Sequence, residues 1–199
     1  MCGGRGTRLE SVHEKPLHPI DGVAMVDRVL AALEASGVNS IYAAVSPNAP
    51  ESRAHLERGD GETPTVTTLE TAGDGYVADL MALLDRPAIS SPVLTVAADL
   101  PLLEAPVIDR ILTTHGEYDA SRTVCVPVAL KRRLGASVDS TLEPETHLAP
   151  TGVNVVGDAS DPQTMTDVYY DPRLAINVNR LEDARLAANE LPRLGAEGR

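Results

Sequence analysis

Three glycines close together near the beginning of the sequence could form a loop that binds phosphate. Gly3, Gly4 and Gly6 fall within a few positions of one another, so the backbone there can bend tightly and turn its N–H groups toward an anion. Arg5 and Arg8 stand on either side of the last glycine and would add charge-assisted hydrogen bonds to phosphate oxygens. The segment predicts a phosphate cradle; the alternative is a glycine-rich turn with cations scattered on the surface.

Lys15, within the sequence Glu-Lys-Pro-Leu, is the next residue suited to phosphate chemistry. A short loop after the glycines could fold its ammonium group back over the same phosphates. The spacing differs from that of a Walker A loop, which ends in Gly-Lys-Ser/Thr, and from that of the dinucleotide-binding fingerprint. Residues 3–17 therefore predict a phosphate site of another kind.

Asp99 is a candidate metal ligand because it follows the most apolar stretch of the sequence. Residues 92–98 are almost all apolar, as expected of a strand buried on both faces of a parallel sheet. Open α/β sheets bind ligands at the carboxyl ends of their strands, and Mg²⁺ is typically held by one or two carboxylates together with substrate phosphates. The alternatives are that Asp99 caps the following helix or pairs with an arginine.

The rest of the sequence alternates between helical and strand-like patterns that could position these groups. Helices are predicted over residues 22–37, 75–86, 102–115 and 181–189, and strands over residues 38–45, 65–69, 92–98, 120–130, 152–156 and 174–178. This order predicts one α/β domain over residues 1–199, with a single doubly wound, mostly parallel sheet and helices on both faces. The polar residues 137–150 are predicted to form a mobile loop.

The composition restricts the partners and the compartment. The 199 residues include 29 acidic and 17 basic side chains, a net charge of −12, which disfavours nucleic-acid binding because that needs clustered cations. Phe and Trp are absent and lysine is rare, a composition that resembles proteins kept soluble in a very salty cytoplasm; the alternative is an ordinary acidic protein. With two cysteines and no apolar run of about 20 residues, we expect a soluble, cytoplasmic protein.

The pairing of Gly-Gly-x-Gly-Thr-Arg over residues 3–8 with Glu-Lys-Pro-Leu resembles the signature of the MobA-like nucleotidyltransferases. These enzymes join a nucleoside triphosphate to a phosphate and release pyrophosphate. The resemblance implies the nucleotide-diphospho-sugar transferase type of fold. It also implies that the loop and the lysine bind the triphosphate, a role that carries over to Gly3, Gly4, Gly6, Thr7, Arg8 and Lys15.

The same resemblance implies catalytic roles for Arg8, Lys15 and Asp99, with Asp99 holding Mg²⁺. Residues 175–179 resemble the closing strand of the family, which implies that Asn177 lies near the phosphates or the metal. Asn177 could equally be a residue at the end of a strand that bonds to its own backbone. Both interpretations of Asn177 stay open at this point.

Three further segments, residues 46–50, 70–80 and 150–155, resemble one branch of this family, the archaeal guanylyltransferases that act on adenosylcobinamide phosphate. The resemblance implies GTP and adenosylcobinamide phosphate as partners, Mg²⁺ as cofactor and nucleotide contacts at Gly73, Gly75 and Gly152, and it admits a homodimer. Gly73 and Gly75 could also be turn residues with positive φ. The other hypotheses are a nucleotidyltransferase for molybdopterin or a sugar phosphate, and a nucleotide-binding module without turnover.

Members of the family have an apolar strand before the glycine-rich loop, whereas only Met1 and Cys2 precede Gly3 in this sequence. That strand lies at the centre of a doubly wound sheet. We therefore expect the first strand to be truncated, which would leave its two neighbours without a shared partner and cost free energy on the scale of the domain's stability. Either the sequence starts too late or the domain is compromised.

Overall fold

The computed structural model describes residues 1, 2, 9, 11–58, 66–116, 120–157 and 164–197, with side chains to residue 194. The predicted phosphate loop, which contains Gly3, Gly4, Gly6, Thr7 and Arg8, lies outside the described residues. The strands are β1 Pro19–Ile20, β2 Val23–Ala24, β3 Ile41–Val45, β4 Val66–Glu70, β5 Val93–Val96, β6 Ser121–Pro127, β7 Leu148–Val156 and β8 Thr164–Val168. The helices are α1 Met25–Glu34, α2 Pro50–Glu57, α3 Tyr76–Leu84, α4 Ala105–His115, α5 Val128–Leu134, α6 Pro172–Ala175 and α7 Leu181–Glu197, and a 3₁₀ turn covers Lys15–Leu17.

The strands form a mixed sheet arrangement with parallel elements. The larger sheet has the order β5-β7-β6-β8, in which β7 runs antiparallel to β5 and β6, while β8 runs parallel to β6. Strands β3 and β4 pair in parallel, and β1 and β2 form a separate antiparallel hairpin. The predicted α/β class, with parallel strands and intervening helices, is confirmed.

Branched aliphatic side chains fill the main core. Helices α1 and α4 and strands β6 and β7 contribute to one cluster, represented by Val29, Ile108, Ile111, Val124 and Val153, all at most 4% exposed. Each such side chain contributes about 1.5–3 kcal/mol of burial free energy.

Among the described residues, no helix is long and apolar enough to cross a membrane.

A short hairpin precedes α1 where the periodicity alone predicts only a helix. Strands β1 and β2 are joined by Asp21 and Gly22, whose φ angles are both positive, 50° and 77°. Asp-Gly is a strong signal for this two-residue turn because both of its positions need positive φ. The helix predicted over residues 22–37 is accordingly shorter, at Met25–Glu34.

The strand predicted over residues 120–130 ends at Pro127, and a helix that was not predicted, α5, follows directly. Gly135 ends this helix with a φ of 81°, and its N–H donates to the Arg132 carbonyl at 3.2 Å. A glycine in the left-handed conformation is a common helix end. The sequence signal was therefore present, but the apolar run before it resembled a continuous strand.

The strand predicted over residues 174–178 is wrong, because α6 occupies the first part of this segment. The Asp171 carboxylate accepts a hydrogen bond from the Arg173 N–H at 3.0 Å, which caps the helix, and Pro172 takes its first position. These two local signals outweigh the β-rich residues that follow. Strand β8 and helix α2 were also not predicted.

In the described part of the chain no strand joins β3 to β5, which leaves a gap at the place of the expected first strand. The Met1 ammonium group donates to the Val96 carbonyl at 2.9 Å, and the Cys2 N–H donates to the Ala44 carbonyl at 2.8 Å. Consecutive N–H groups thus point to opposite neighbours, as in a strand between two others. Beside them lies a cavity of about 570 Å³ whose apolar lining comes from β3, β5, α1 and α3.

Candidate active site

The described site residues meet at the carboxyl end of β5, where the sheet rule places a ligand. Asp99 lies in the turn after this strand, and its carbonyl accepts a hydrogen bond from the Val178 N–H at 2.9 Å. The Ala97 N–H donates to the Gly152 carbonyl, also at 2.9 Å. These bonds hold β7 and the segment after α6 against the same turn.

Lys15 and Asp99, which the sequence places 84 positions apart, form an ion pair in the fold. The Lys15 Nζ donates to Asp99 Oδ2 at 2.6 Å and to Asn179 Oδ1 at 2.7 Å. The Lys15 and Asp99 side chains are 19% and 17% exposed, so the pair lies mostly out of water. Asp99 thus pairs with a lysine rather than with an arginine, and the contact of Lys15 with Asn179 was not predicted from the sequence.

The oxygens of Asp99 and Asn179 converge on one positively charged group, which is the arrangement that a cation site needs. In the part of the chain that the structure describes, no three His, Cys, Asp or Glu side chains form a metal-binding group. Mg²⁺ requires fewer protein ligands, since it keeps several waters and binds substrate phosphates. A carboxylate and an amide oxygen are hard donors, so this pair fits Mg²⁺.

Asn177 lies behind Asp99 and is mostly buried, with 8% of its surface exposed. Its Nδ2 donates to the Thr151 carbonyl at 2.5 Å and lies 3.5 Å from Asp99 Oδ1, while its Oδ1 accepts from the Lys131 Nζ at 3.1 Å. Asn177 therefore sits next to the predicted metal ligand. It bonds to the backbone of β7 rather than to its own.

Gly73 and Gly75 line a pocket of about 250 Å³ together with Lys15, Asp99 and Tyr76. Gly73 has a φ of 78°, and a side-chain carbon added there would lie 3.0 Å from Asn48 Nδ2. Gly75 has a φ of 116° and precedes the first residue of α3. The fold thus brings both glycines to the Lys15 ion pair, and their positive φ angles agree with the turn interpretation as well.

Gly152 lies in β7 beneath the turn that carries Asp99. Its φ is 84°, and a side-chain carbon added there would lie only 2.8 Å from the Ala97 Cβ and 3.7 Å from Asn177 Nδ2. The space above Gly152 is therefore filled by the chain itself. Glycine at this position allows the close approach of β5 that sets the position of Asp99.

Replacing Gly152 with Ala is expected to lower the free energy of unfolding by about 2–4 kcal/mol, because left-handed strain and overpacking add together. Gly135→Ala is the matched control: Gly135 has a similar φ of 81°, but nothing lies within 4 Å of an added carbon. We expect Gly135→Ala to lower the free energy of unfolding by about 1–2 kcal/mol, the cost of the backbone strain alone. Urea denaturation measures both, and equal losses would contradict the packing argument.

The fold is that of the nucleotidyltransferases of the nucleotide-diphospho-sugar transferase type. A solved structure of CMP:2-keto-3-deoxy-manno-octonic acid synthetase complexed with CTP superposes with a TM-score of 0.63 at 13% identity, over 94% of this chain and 95% of that one. At this identity the likeness concerns the fold alone.

Residues 1–185 match the family model of the MobA-like NTP transferase domain, and the chain belongs to this family. It is 30% identical over 191 residues to the adenosylcobinamide-phosphate guanylyltransferase of Methanocaldococcus jannaschii, covering 94% of this chain and 93% of that protein. It is also 30% identical over 128 residues to the bifunctional protein GlmU of Listeria monocytogenes, which covers 64% of this chain and 27% of that protein. The protein is thus a nucleotidyltransferase.

Proposed function

We propose that the protein transfers GMP from GTP to adenosylcobinamide phosphate, giving adenosylcobinamide-GDP and pyrophosphate. The observation that carries the proposal is the position of the Lys15 ammonium group, 2.6 Å from Asp99 and 2.7 Å from Asn179, in a pocket with Gly73 and Gly75. A cation at this position can bind the phosphates of a nucleoside triphosphate that enters the pocket. The similarity to the M. jannaschii protein over nearly the whole chain supports this nucleotide and this acceptor.

The acceptor brings its own nucleophile. A phosphate monoester has a second pKa of about 6 and is largely dianionic at neutral pH, so no side chain has to remove a proton. One acceptor oxygen forms a bond to the α-phosphorus of GTP, and the bond from that phosphorus to the β-phosphate oxygen breaks. The electron pair leaves with pyrophosphate.

The protein contributes position and charge to this reaction. Asp99 and Asn179 would hold Mg²⁺, which when bound supplies positive charge that neutralises the triphosphate. With Mg²⁺ on the Asp99 and Asn179 oxygens, Lys15 would instead donate hydrogen bonds to phosphate oxygens, where negative charge increases as the bond to pyrophosphate breaks. Gly3, Gly4, Gly6, Thr7 and Arg8 are proposed to surround the same phosphates, and Gly73 and Gly75 to complete the nucleotide site. Gly152 and Asn177 are proposed to act on the nucleotide site indirectly, by holding Asp99 in place.

The proposal is tested by measuring pyrophosphate release with each of the four nucleoside triphosphates and three acceptors. The acceptors are adenosylcobinamide phosphate, molybdopterin and glucose 1-phosphate. We expect release only with GTP and adenosylcobinamide phosphate, in the presence of Mg²⁺, and a product with the mass of adenosylcobinamide-GDP. Because the net charge is −12, the assay is run at low and at molar KCl, since salt screens the repulsion among the acidic groups.

Each other outcome identifies a different function. Release with a second acceptor and none with adenosylcobinamide phosphate would assign another nucleotidyltransferase activity. GTP binding without release for any acceptor would indicate a nucleotide-binding module without turnover. Either result would overturn the proposed function.

A further inference from the structure

Lys131 is a buried cation that has no role in the mechanism described above. Lys131 lies on α5 and is only 4% exposed. Its Nζ donates to the Ala175 carbonyl at 2.6 Å and to Asn177 Oδ1 at 3.1 Å. Burial lowers the pKa of Lys131 below its ordinary value, and the charges of Asp183, Asp99 and Asp139 offset only part of this shift. A buried ammonium group is costly unless it is paired, so its position beside the site requires an explanation.

The two lysines of this arginine-rich chain both belong to the same network. Lys15 contacts Asp99 from the pocket, and Lys131 reaches Asn177 from the protein interior. A lysine ends in a compact ammonium group, whereas arginine ends in a broad planar fork. Lysine therefore suits a narrow site at which one nitrogen must bond to two oxygens.

The contacts of Lys131 determine the orientation of the Asn177 amide. The Lys131 ammonium group can only donate and the Thr151 carbonyl can only accept. The amide oxygen of Asn177 must therefore face Lys131, and its nitrogen must face Thr151 and Asp99. In the opposite orientation, the amide N–H groups would face the Lys131 ammonium group, and the amide oxygen would face the Thr151 carbonyl oxygen. Neither contact could form a hydrogen bond.

We propose that Lys131 is a positioning residue that fixes the Asn177 amide so that an N–H group, rather than an oxygen, faces Asp99. This inference rests on the proposed function. The N–H group faces Asp99 Oδ1 at 3.5 Å, while Oδ2 accepts from Lys15, which also donates to Asn179. Asn177 then orients Asp99, the carboxylate proposed to bind the metal, and Asn179 supplies the amide oxygen of the same metal site.

The bond from Lys131 to the Ala175 carbonyl serves the same purpose through the backbone. Ala175 is the last residue of α6, and Asn177 and Asn179 follow it within a few positions. Fixing the end of α6 therefore limits the movement of both asparagines. Without Lys131, the Thr151 carbonyl is the one remaining contact of the two that orient the amide. An amide that turned its oxygen toward the Asp99 carboxylate would then bring two acceptors together, and they would repel each other.

The test compares Lys131→Met with Val128→Ala in the full-length chain. Val128 lies on the same helix and is 5% exposed, but it packs in the main core cluster. Mn²⁺ binding in the presence of GTP is measured by electron paramagnetic resonance, alongside pyrophosphate release and thermal melts. We expect Lys131→Met to weaken Mn²⁺ binding by about 10-fold or more and to lower kcat more than it changes KM for GTP.

The control and a double variant distinguish positioning from a structural role. Val128→Ala should lower the melting temperature without changing Mn²⁺ affinity. Asn177→Ala should weaken Mn²⁺ binding as Lys131→Met does, and the two changes together should cost no more than either alone, because they act through one amide. If Lys131→Met does not fold, unchanged Mn²⁺ affinity in Asn177→Ala would still overturn the inference.

Unchanged Mn²⁺ affinity in Lys131→Met or in Asn177→Ala would overturn the inference, as would additive losses in the double variant. Failure of the proposed function gives a different result, since the unaltered protein would then show no Mn²⁺-dependent GTP binding or no pyrophosphate release. The two failures are therefore distinguishable in the same set of measurements.

Discussion

Lys15→Ala is expected to lower the turnover number by about 10²–10³-fold, the loss typical of removing one donor that stabilises charge in a transition state. The Lys15 Nζ is the group that lies between Asp99 and Asn179 in the pocket. The effect on folding should be smaller, about 1–2 kcal/mol, because the Asp99 carboxylate loses its partner but borders an open pocket where water can reach it. Pyrophosphate release and urea denaturation measure the two effects.

Arg110→Ala is the control for removing a cation that is paired with a carboxylate. Arg110 bonds to Asp171 at 2.9 Å, and neither residue lines the pocket with Lys15. We expect this variant to keep its turnover within a few-fold of the unaltered protein. Activity of Lys15→Ala in the same range as that of the control would remove Lys15 from the site.

The sequence predicted those parts of the site that depend on local pattern. Asp99 follows the most apolar run, and a residue that ends a central strand lies at the ligand edge of the sheet in any fold of this class. Gly73 and Gly75 have positive φ angles in the structure, which glycine adopts readily. Each of these features is a property of a few neighbouring residues, so one sequence was sufficient to find it.

The contacts among distant residues could not be predicted in the same way. Asn179 meets Lys15 across 164 positions, and Asn177 meets Lys131 across 46 positions. The two asparagines are separated by one residue, and their side chains differ in role because the backbone after α6 is irregular. No periodic pattern indicates which of them contacts Lys15 and which contacts Lys131, and the rarity of lysine was the only sequence signal for Lys131.

Adding about six apolar residues before Met1, such as a Val- and Ile-rich strand, is expected to raise the melting temperature by about 10–20 °C and to raise turnover. The gap between β3 and β5 supplies the reason. The Met1 and Cys2 nitrogens already bond to Val96 and Ala44 on opposite sides. A residue placed before Met1 would convert the ammonium group into an amide that keeps the bond to Val96.

The comparison uses a second extension of equal length made of Gly and Ser, measured by thermal melts and pyrophosphate release at matched salt. This control adds the same backbone without the side chains that the cavity could bury. Equal melting temperatures for the two extensions, or for the apolar extension and the unextended chain, would contradict the argument from the gap.

The size of the effect follows from what the gap can bury and bond. The cavity of about 570 Å³ is lined by apolar side chains of β3, β5, α1 and α3, and each Val or Ile buried there contributes about 1.5–3 kcal/mol. Ordering each added residue costs about 1.5 kcal/mol, while each backbone hydrogen bond to β3 or β5 returns about 1 kcal/mol. The gain is on the order of 5 kcal/mol, and each kcal/mol raises the melting temperature by about 2–4 °C in a domain of this size. Because the extension would precede the glycine-rich segment that is predicted to bind the triphosphate, we expect it to raise turnover together with stability.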